Sequence, residues 1–198
     1  MQTSRRFAIL AITAAMLGGC ATTGNLSKAT VADYRESIDL TGRLSVNYQK
    51  DGQPQALTGL FTWEQKPGRV DVSLASPLGQ TLATISVTPN EAVLTQSGRE
   101  PRMAKDIDAL TMETLGWDLP VSGLRDWLQG YATDASGKRF AASPAQNSVF
   151  TRDGWRLRFV EWQDEAAARP APRVISAERS ATAHSDELAI RIVIDPAA

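Results

Sequence analysis

Apolar and polar residues alternate with a period of two along most of the chain after residue 37. In "SIDLTGRLSVNYQ", Ile38, Leu40, Leu44, Val46 and Tyr48 share one side with Gly42, and Asp39, Thr41, Arg43, Ser45 and Asn47 share the other. Successive side chains of a strand point to opposite faces, so this spacing predicts a half-buried strand. "ALTGLFTWEQ" repeats it with Leu57, Gly59, Phe61 and Trp63, and "RVDVSLAS" with Val70, Val72 and Leu74. "TLATISVTP", "EAVLTQSG", "SVFTRDGWRLRFVEW" and "ELAIRIVID" continue the series, the last setting Leu188, Ile190, Ile192 and Ile194 against Arg191 and Asp195. Asp51-Gly52, Pro67-Gly68, Pro89-Asn90, Ser97-Gly98 and Asp153-Gly154 mark turns between the runs. Strands joined by short turns predict an antiparallel sheet, apolar on one face and wet on the other.

Three stretches depart from this period. In "VADYRESI", Val31, Tyr34 and Ile38 fall at helical spacing and predict a short amphipathic helix. Residues 104–130 lack alternation. Ile107, Leu110 and Leu115 suit one helix, with Asp106 and Asp108 as charges near its N-terminus, and Leu124, Trp127 and Leu128 suit a second. Gly116 and Gly130 are placed to end them. Residues 163–173 read as an exposed loop. Two architectures fit a one-sided sheet with a few short helices. The sheet closes around a side-chain core as a small barrel, which is the simpler reading, or it stays open and its lidded concavity holds a lipid. A core and an apolar pocket have the same pattern, so periodicity does not separate them.

"LASPLGQTLA" poses a more specific question. Pro77 and Gly79 are turn formers, yet Leu78 between them offers an aliphatic side chain to water.

Composition narrows the function. With 198 residues, 42% hydrophobic and 22% charged, the chain has the balance of one globular domain, and its net charge of −1 provides no source for the electrostatic binding of nucleic acid. Residues 1–19 differ in kind: Arg5 and Arg6 precede an apolar run from Phe7 to Leu17, the pattern of a secretory signal peptide. "LGGC" resembles a bacterial lipobox, which makes Cys20 the lipid-attachment site and the first mature residue. Cys20 is the one cysteine of the chain, so no intramolecular disulfide is possible. Residues 20–30 then read as a lipidated tether and 31–198 as the folded domain. Ala21, not Asp, follows Cys20, and the lipobox resemblance then implies the outer membrane.

Catalytic signatures are missing. The sequence has one histidine, His184, in a polar stretch, and no clustered ligand spacing, nucleophile elbow, phosphate loop or dinucleotide fingerprint. The reading is a non-enzyme without a cofactor or metal. The tryptophans Trp63, Trp117, Trp127, Trp155 and Trp162 suit a core, an apolar ligand pocket or a membrane interface.

The lipobox, "LTGRLSV", "GLFTWEQ", "SLASPLGQTLATI" and above all "LGWDLPVSGLRDWLQG" together resemble the LolB family, the outer-membrane receptors that take lipoproteins from the periplasmic carrier LolA. "GWRLRFVEW" and "PRVISAERSATAHSDELAIRIVI" agree in order and spacing. The resemblance spans the mature chain and is most specific over 42–130. It implies a mainly β fold, an open half-barrel of antiparallel strands with an α-helical lid over an apolar acyl-chain cavity. By position, Phe61 and Trp63 on the sheet, Trp127 and Leu128 on the lid, and Trp155 are the candidates to line that cavity. The resemblance makes Pro77, Leu78 and Gly79 a protruding loop for membrane insertion. Implied partners are LolA, the acyl chains of client lipoproteins and the outer-membrane bilayer, for a lipid-anchored monomer facing the periplasm of a Gram-negative cell. A structural envelope lipoprotein with a filled barrel core is the alternative.

Overall fold

A computed structural model describes residues 26–50, 52–105, 107–115, 119–181 and 186–196. The signal peptide, Cys20 and most of the tether, together with Asp106, Gly116, Trp117 and His184, lie outside these residues. In chain order the elements are β1 (Ile38–Lys50), β2 (Gln53–Lys66), β3 (Arg69–Ala75), β4 (Thr81–Val87), β5 (Ala92–Gln96) and β6 (Arg102–Ala104). Two helices follow, α1 (Ile107–Leu115) and α2 (Val121–Trp127). The chain then returns to strands β7 (Tyr131–Thr133), β8 (Arg139–Ala141), β9 (Ser148–Phe150), β10 (Arg156–Trp162), β11 (Pro172–Arg179) and β12 (Leu188–Ile194).

Ten strands form one antiparallel sheet in the order β6-β5-β4-β3-β2-β1-β12-β11-β10-β9, while β7 and β8 pair separately. Among the described residues β6 and β9 do not pair with each other, so the sheet is open, as expected. The alternation in the sequence sets its register. Trp63 lies opposite Val72, Val72 opposite Ile85 and Ile85 opposite Leu94, which gives a continuous apolar row on the inner face. Across β1 and β12, Leu44 faces Ile192 and Val46 faces Ile190, and all are buried. Gly42 sits where no side chain fits: a Cβ there would lie 2.1 Å from the Val193 carbonyl oxygen and 2.8 Å from the edge of the Phe61 ring.

The helical segment behaves as its spacing predicts. Ile107 and Leu110 of α1, and Leu124 and Trp127 of α2 with Leu128 after it, are buried in the same core cluster as the sheet. Seven residues are too few for α2 to be stable alone; burial holds it. Side chains bind the two helices together. Asp108 accepts hydrogen bonds from Ser122 Oγ at 2.5 Å and from its backbone N–H at 3.4 Å, and Thr111 Oγ1 accepts from the Leu119 N–H at 3.1 Å. Asp108 therefore acts as a helix–helix tie as well as a first-turn charge.

The helix expected at Val31–Ile38 does not form. Residues 26–37 run as an irregular strap, and Ile38 already belongs to β1. Eight residues do not offset the cost of helix nucleation by themselves, and here the strap's backbone is drawn to other partners. Val31 N–H donates to the Ala142 carbonyl at 3.0 Å, and the Ala32 carbonyl accepts from Tyr131 Oη at 2.7 Å. Gln129, just beyond α2, accepts from the Arg35 N–H at 2.9 Å and donates back to the Arg35 carbonyl at 3.0 Å. The exposed loop holds over 163–171, apart from buried Pro170, but Pro172 and Arg173 already belong to β11.

Candidate functional site

The 76–80 turn is fixed by its backbone and by Ser76. Ser76 N–H donates to the Gln80 carbonyl at 2.8 Å, its own carbonyl accepts from Gly79 N–H at 2.9 Å, and its hydroxyl accepts from Gln80 N–H at 3.2 Å. Gly79 takes φ +84°, a conformation other residues adopt only with strain. With both flanks committed to the turn, Leu78 points outward and is 91% exposed, the most exposed large hydrophobic among the described residues. Leu82 on β4, and Leu60 on β2 opposite Ala75, are also exposed.

Beneath the helices, Phe61, Trp63, Val72 and Leu74 of the sheet meet Leu119, Leu124 and Leu128 of the helical segment, with Leu44 and Ile192 beside them. The space left among them is only about 20 Å³, room for about one water. Three of the five expected lining residues, Phe61, Trp63 and Leu128, therefore converge on one apolar gap that the lid now fills. Trp127 and Trp155 are buried but border a different place. Their rings meet edge to face at 5.5 Å, the Trp127 indole lies over Gly123, and the Arg179 guanidinium sits 4.7 Å from the Trp155 ring.

Two larger spaces share walls with this gap. The larger, about 490 Å³, lies where the strap crosses β1 and β2. It shares Trp63 and Leu128 with the gap, and Asp39, Glu64 and Asp195 stand among its walls. Gln65, with no solvent exposure, closes this end by accepting from the Trp63 indole N–H at 3.3 Å and donating to Tyr34 Oη at 2.8 Å. The second, about 220 Å³, lies at the opposite end, beside the Leu78 turn, and shares Leu44 and Leu74 with the gap. The strap, both end spaces and the Gln65 network were not foreseen from sequence. The buried glutamine alone carried a signal, standing at an inward position of the β2 alternation.

Charge is sparse at the gap. Asp126, on α2, is half-buried, and loss of solvent raises its pKa above the ordinary carboxylate value, opposed by nearby Arg139 and Arg125. Among the described residues no group of three or more His, Cys, Asp or Glu side chains is arranged to hold a metal. What the arrangement offers is apolar surface under a small, packed lid, and one bare leucine at the end of the sheet.

Relatives of similar sequence are known over nearly the whole chain. The family model for outer membrane lipoprotein LolB matches residues 36–196. The chain is 40% identical to the outer-membrane lipoprotein LolB of Cupriavidus taiwanensis, over 99% of this chain and 98% of that one. It is 38% identical to the protein of the same name from Cupriavidus necator, with the same coverage, and 32% identical to that of Ralstonia nicotianae over 94% of each. A solved LolA superfamily structure from Nitrosomonas europaea aligns with 82% of this chain and 86% of its own, at 5% identity and a TM-score of 0.44; at that distance it assigns no function. Similarity that spans the whole sheet, the lid and the Leu78 turn leaves one assignment: the chain belongs to the LolB family of outer-membrane lipoproteins.

Proposed function

We propose that the protein accepts lipoproteins from the periplasmic carrier LolA by taking their acyl chains under the α1–α2 lid, and then inserts them into the inner leaflet of the outer membrane. The observation that carries this reading is the pairing of an apolar, lid-filled concavity with a 91% exposed leucine at the end of the same sheet.

The energetics are those of exchange. A mature lipoprotein carries three acyl chains, and each methylene exposed to water costs about 0.8 kcal/mol, so the chains must pass between apolar surroundings. The gap of 20 Å³ holds no acyl chain, so the lid must lift for one to enter. Moving Leu119, Leu124 and Leu128 off the sheet costs about 1.5–3 kcal/mol each. Roughly ten methylenes laid in their place against Phe61 and Trp63 of the sheet balance that cost. A single acyl chain is therefore enough to hold the lid open, and its departure closes it. In this scheme Trp127 seats α2 against the ring of Trp155. Asp108 and Thr111 make α1 and α2 move as one body. A difference of about 1.4 kcal/mol between successive sites biases each hand-off tenfold, with neither ATP nor covalent chemistry.

The test is uptake of a hydrophobic fluorescent probe by the delipidated protein. Saturable enhancement, lost when a lipoprotein is added, is expected. A protein that takes up none has a filled core and is a structural lipoprotein.

A further inference from the structure

The groove beside the Leu78 turn has the composition of a lipid passage. Because β3 ends at Ala75 and β4 begins at Thr81, the 76–80 turn marks one end of the sheet. Ala83 pairs with Gln96, and Ser97 N–H donates to the Leu82 carbonyl at 3.2 Å, which brings the turn after β5 to the same end. Between these turns the 220 Å³ groove is walled by Leu44, Leu57, Leu60, Leu74 and Leu82. Its polar margin is Gln96, Arg99 and Thr114. Gln96 Nε2 donates to the Thr114 carbonyl at 3.5 Å, and its Oε1 accepts from Arg99 Nη1 at 3.1 Å. Thr114 Oγ1 is shielded from solvent and has no hydrogen-bond partner among the described residues. A shielded hydroxyl without a partner costs free energy unless something else satisfies it. Arg99 is exposed, and among the described residues no carboxylate pairs with it.

We infer that this groove is the exit through which a client's acyl chain passes from the lidded concavity to the bilayer, its ester or amide carbonyl held on the way by Thr114 and Arg99. Aliphatic walls match a methylene chain. The margin supplies hydroxyl and guanidinium donors, and an acyl carbonyl has only acceptors to give them. Leu44 and Leu74 line both the groove and the gap under the lid, so the two share a wall, and the Leu78 turn lies at the groove's end of the sheet. The inference rests on the proposed function, and its test separates the two.

The full lipidated protein in liposomes receives a client lipoprotein from its carrier, and acceptance and insertion are measured separately. Leu57→Trp fills the groove; overpacking of that size should slow insertion about tenfold and leave acceptance unchanged. Thr114→Val keeps the shape and removes the hydroxyl. It should slow insertion by about threefold to tenfold, the size of one neutral hydrogen bond, with an unchanged or higher melting temperature. Should Leu57→Trp melt early, Leu60→Trp on the exposed margin replaces it. Wild-type insertion by both variants overturns the inference, and so does equal loss of acceptance and insertion. A photoreactive group on the client's acyl chain should mark residues 57–60 and 96–99; marking only from labelled vesicle phospholipid also overturns it. Normal insertion by Leu78→Glu alongside slow groove variants would instead remove the docking role of Leu78 and leave the passage standing.

Discussion

Leu78→Glu isolates the membrane step from everything before it. The side chain is 91% exposed, and the turn is held by Ser76, Gly79 and Gln80 rather than by Leu78, so the variant loses no packing. Surface changes of this kind stay within about 0.5 kcal/mol of the parent stability. Burying a leucine in the bilayer is worth about 1.5–3 kcal/mol, which corresponds to roughly a 10- to 150-fold bias toward the docked orientation. That is too little to anchor a protein, but it is sufficient to orient one already tethered by lipid. The glutamate removes this term and adds a charge the bilayer interior rejects. The assay has two stages, acceptance of a lipoprotein from its carrier in solution and then incorporation into liposomes. Leu78→Glu should melt with the parent and accept cargo normally, yet deliver it at least tenfold more slowly, whereas Leu78→Phe should deliver. Insertion at the parent rate by Leu78→Glu would refute the reasoning.

Cys20→Ala should abolish metabolic labelling with a fatty acid, and persistent label would contradict the lipobox. Trp127→Ala empties the space between Gly123 and Trp155 and should cost about 3–5 kcal/mol in a denaturant melt; near-parent stability would show that the ring does not seat the lid. Asp126→Asn should raise the melting temperature at neutral pH, because a half-buried carboxylate with a raised pKa penalises the native state while it is ionised. Below both the native and unfolded pKa values of Asp126 the acid is neutral in either state, so the gain should shrink as pH falls through them. A gain that grows on acidification would contradict this sign.

Most of the sheet was legible because one face is buried and the other wet. β1 to β5 and β12 alternate throughout, and β10 does so up to Val160, where its register shifts; a register slip would turn each apolar row to water. β11 was not recognised as a strand, since Val174 and Ile175 are adjacent and both buried. Ile175, opposite Ile192, belongs to the core cluster, whereas Val174, opposite Val193, is buried on the other face of the sheet, which hides the alternation. The three-residue strands β6 to β8 are too short to show a period on their own. At the strap, helical spacing was coincidental: Val31 and Tyr34 pack beside Gly130 and Tyr131, residues about a hundred positions away. Leu78 was readable because turn chemistry on both sides fixes its exposure locally. The partition of the aromatics, with Phe61 and Trp63 at the gap and Trp127 against Trp155, depends on how α2 sits on the sheet. No local pattern contains that, and the groove margin joins β5, its turn and the end of α1 in the same nonlocal way.

The most direct test of the account is hand-over itself. A purified carrier–lipoprotein complex, the lipoprotein bearing a photoreactive acyl chain, is mixed with the soluble Cys20→Ala protein lacking residues 1–19, without nucleotide. The account predicts that the lipoprotein moves to this protein and that illumination marks the peptides containing Phe61, Trp63 and Leu128. Cargo that stays on the carrier, or acyl chains that mark only the outer face of the sheet, would contradict it.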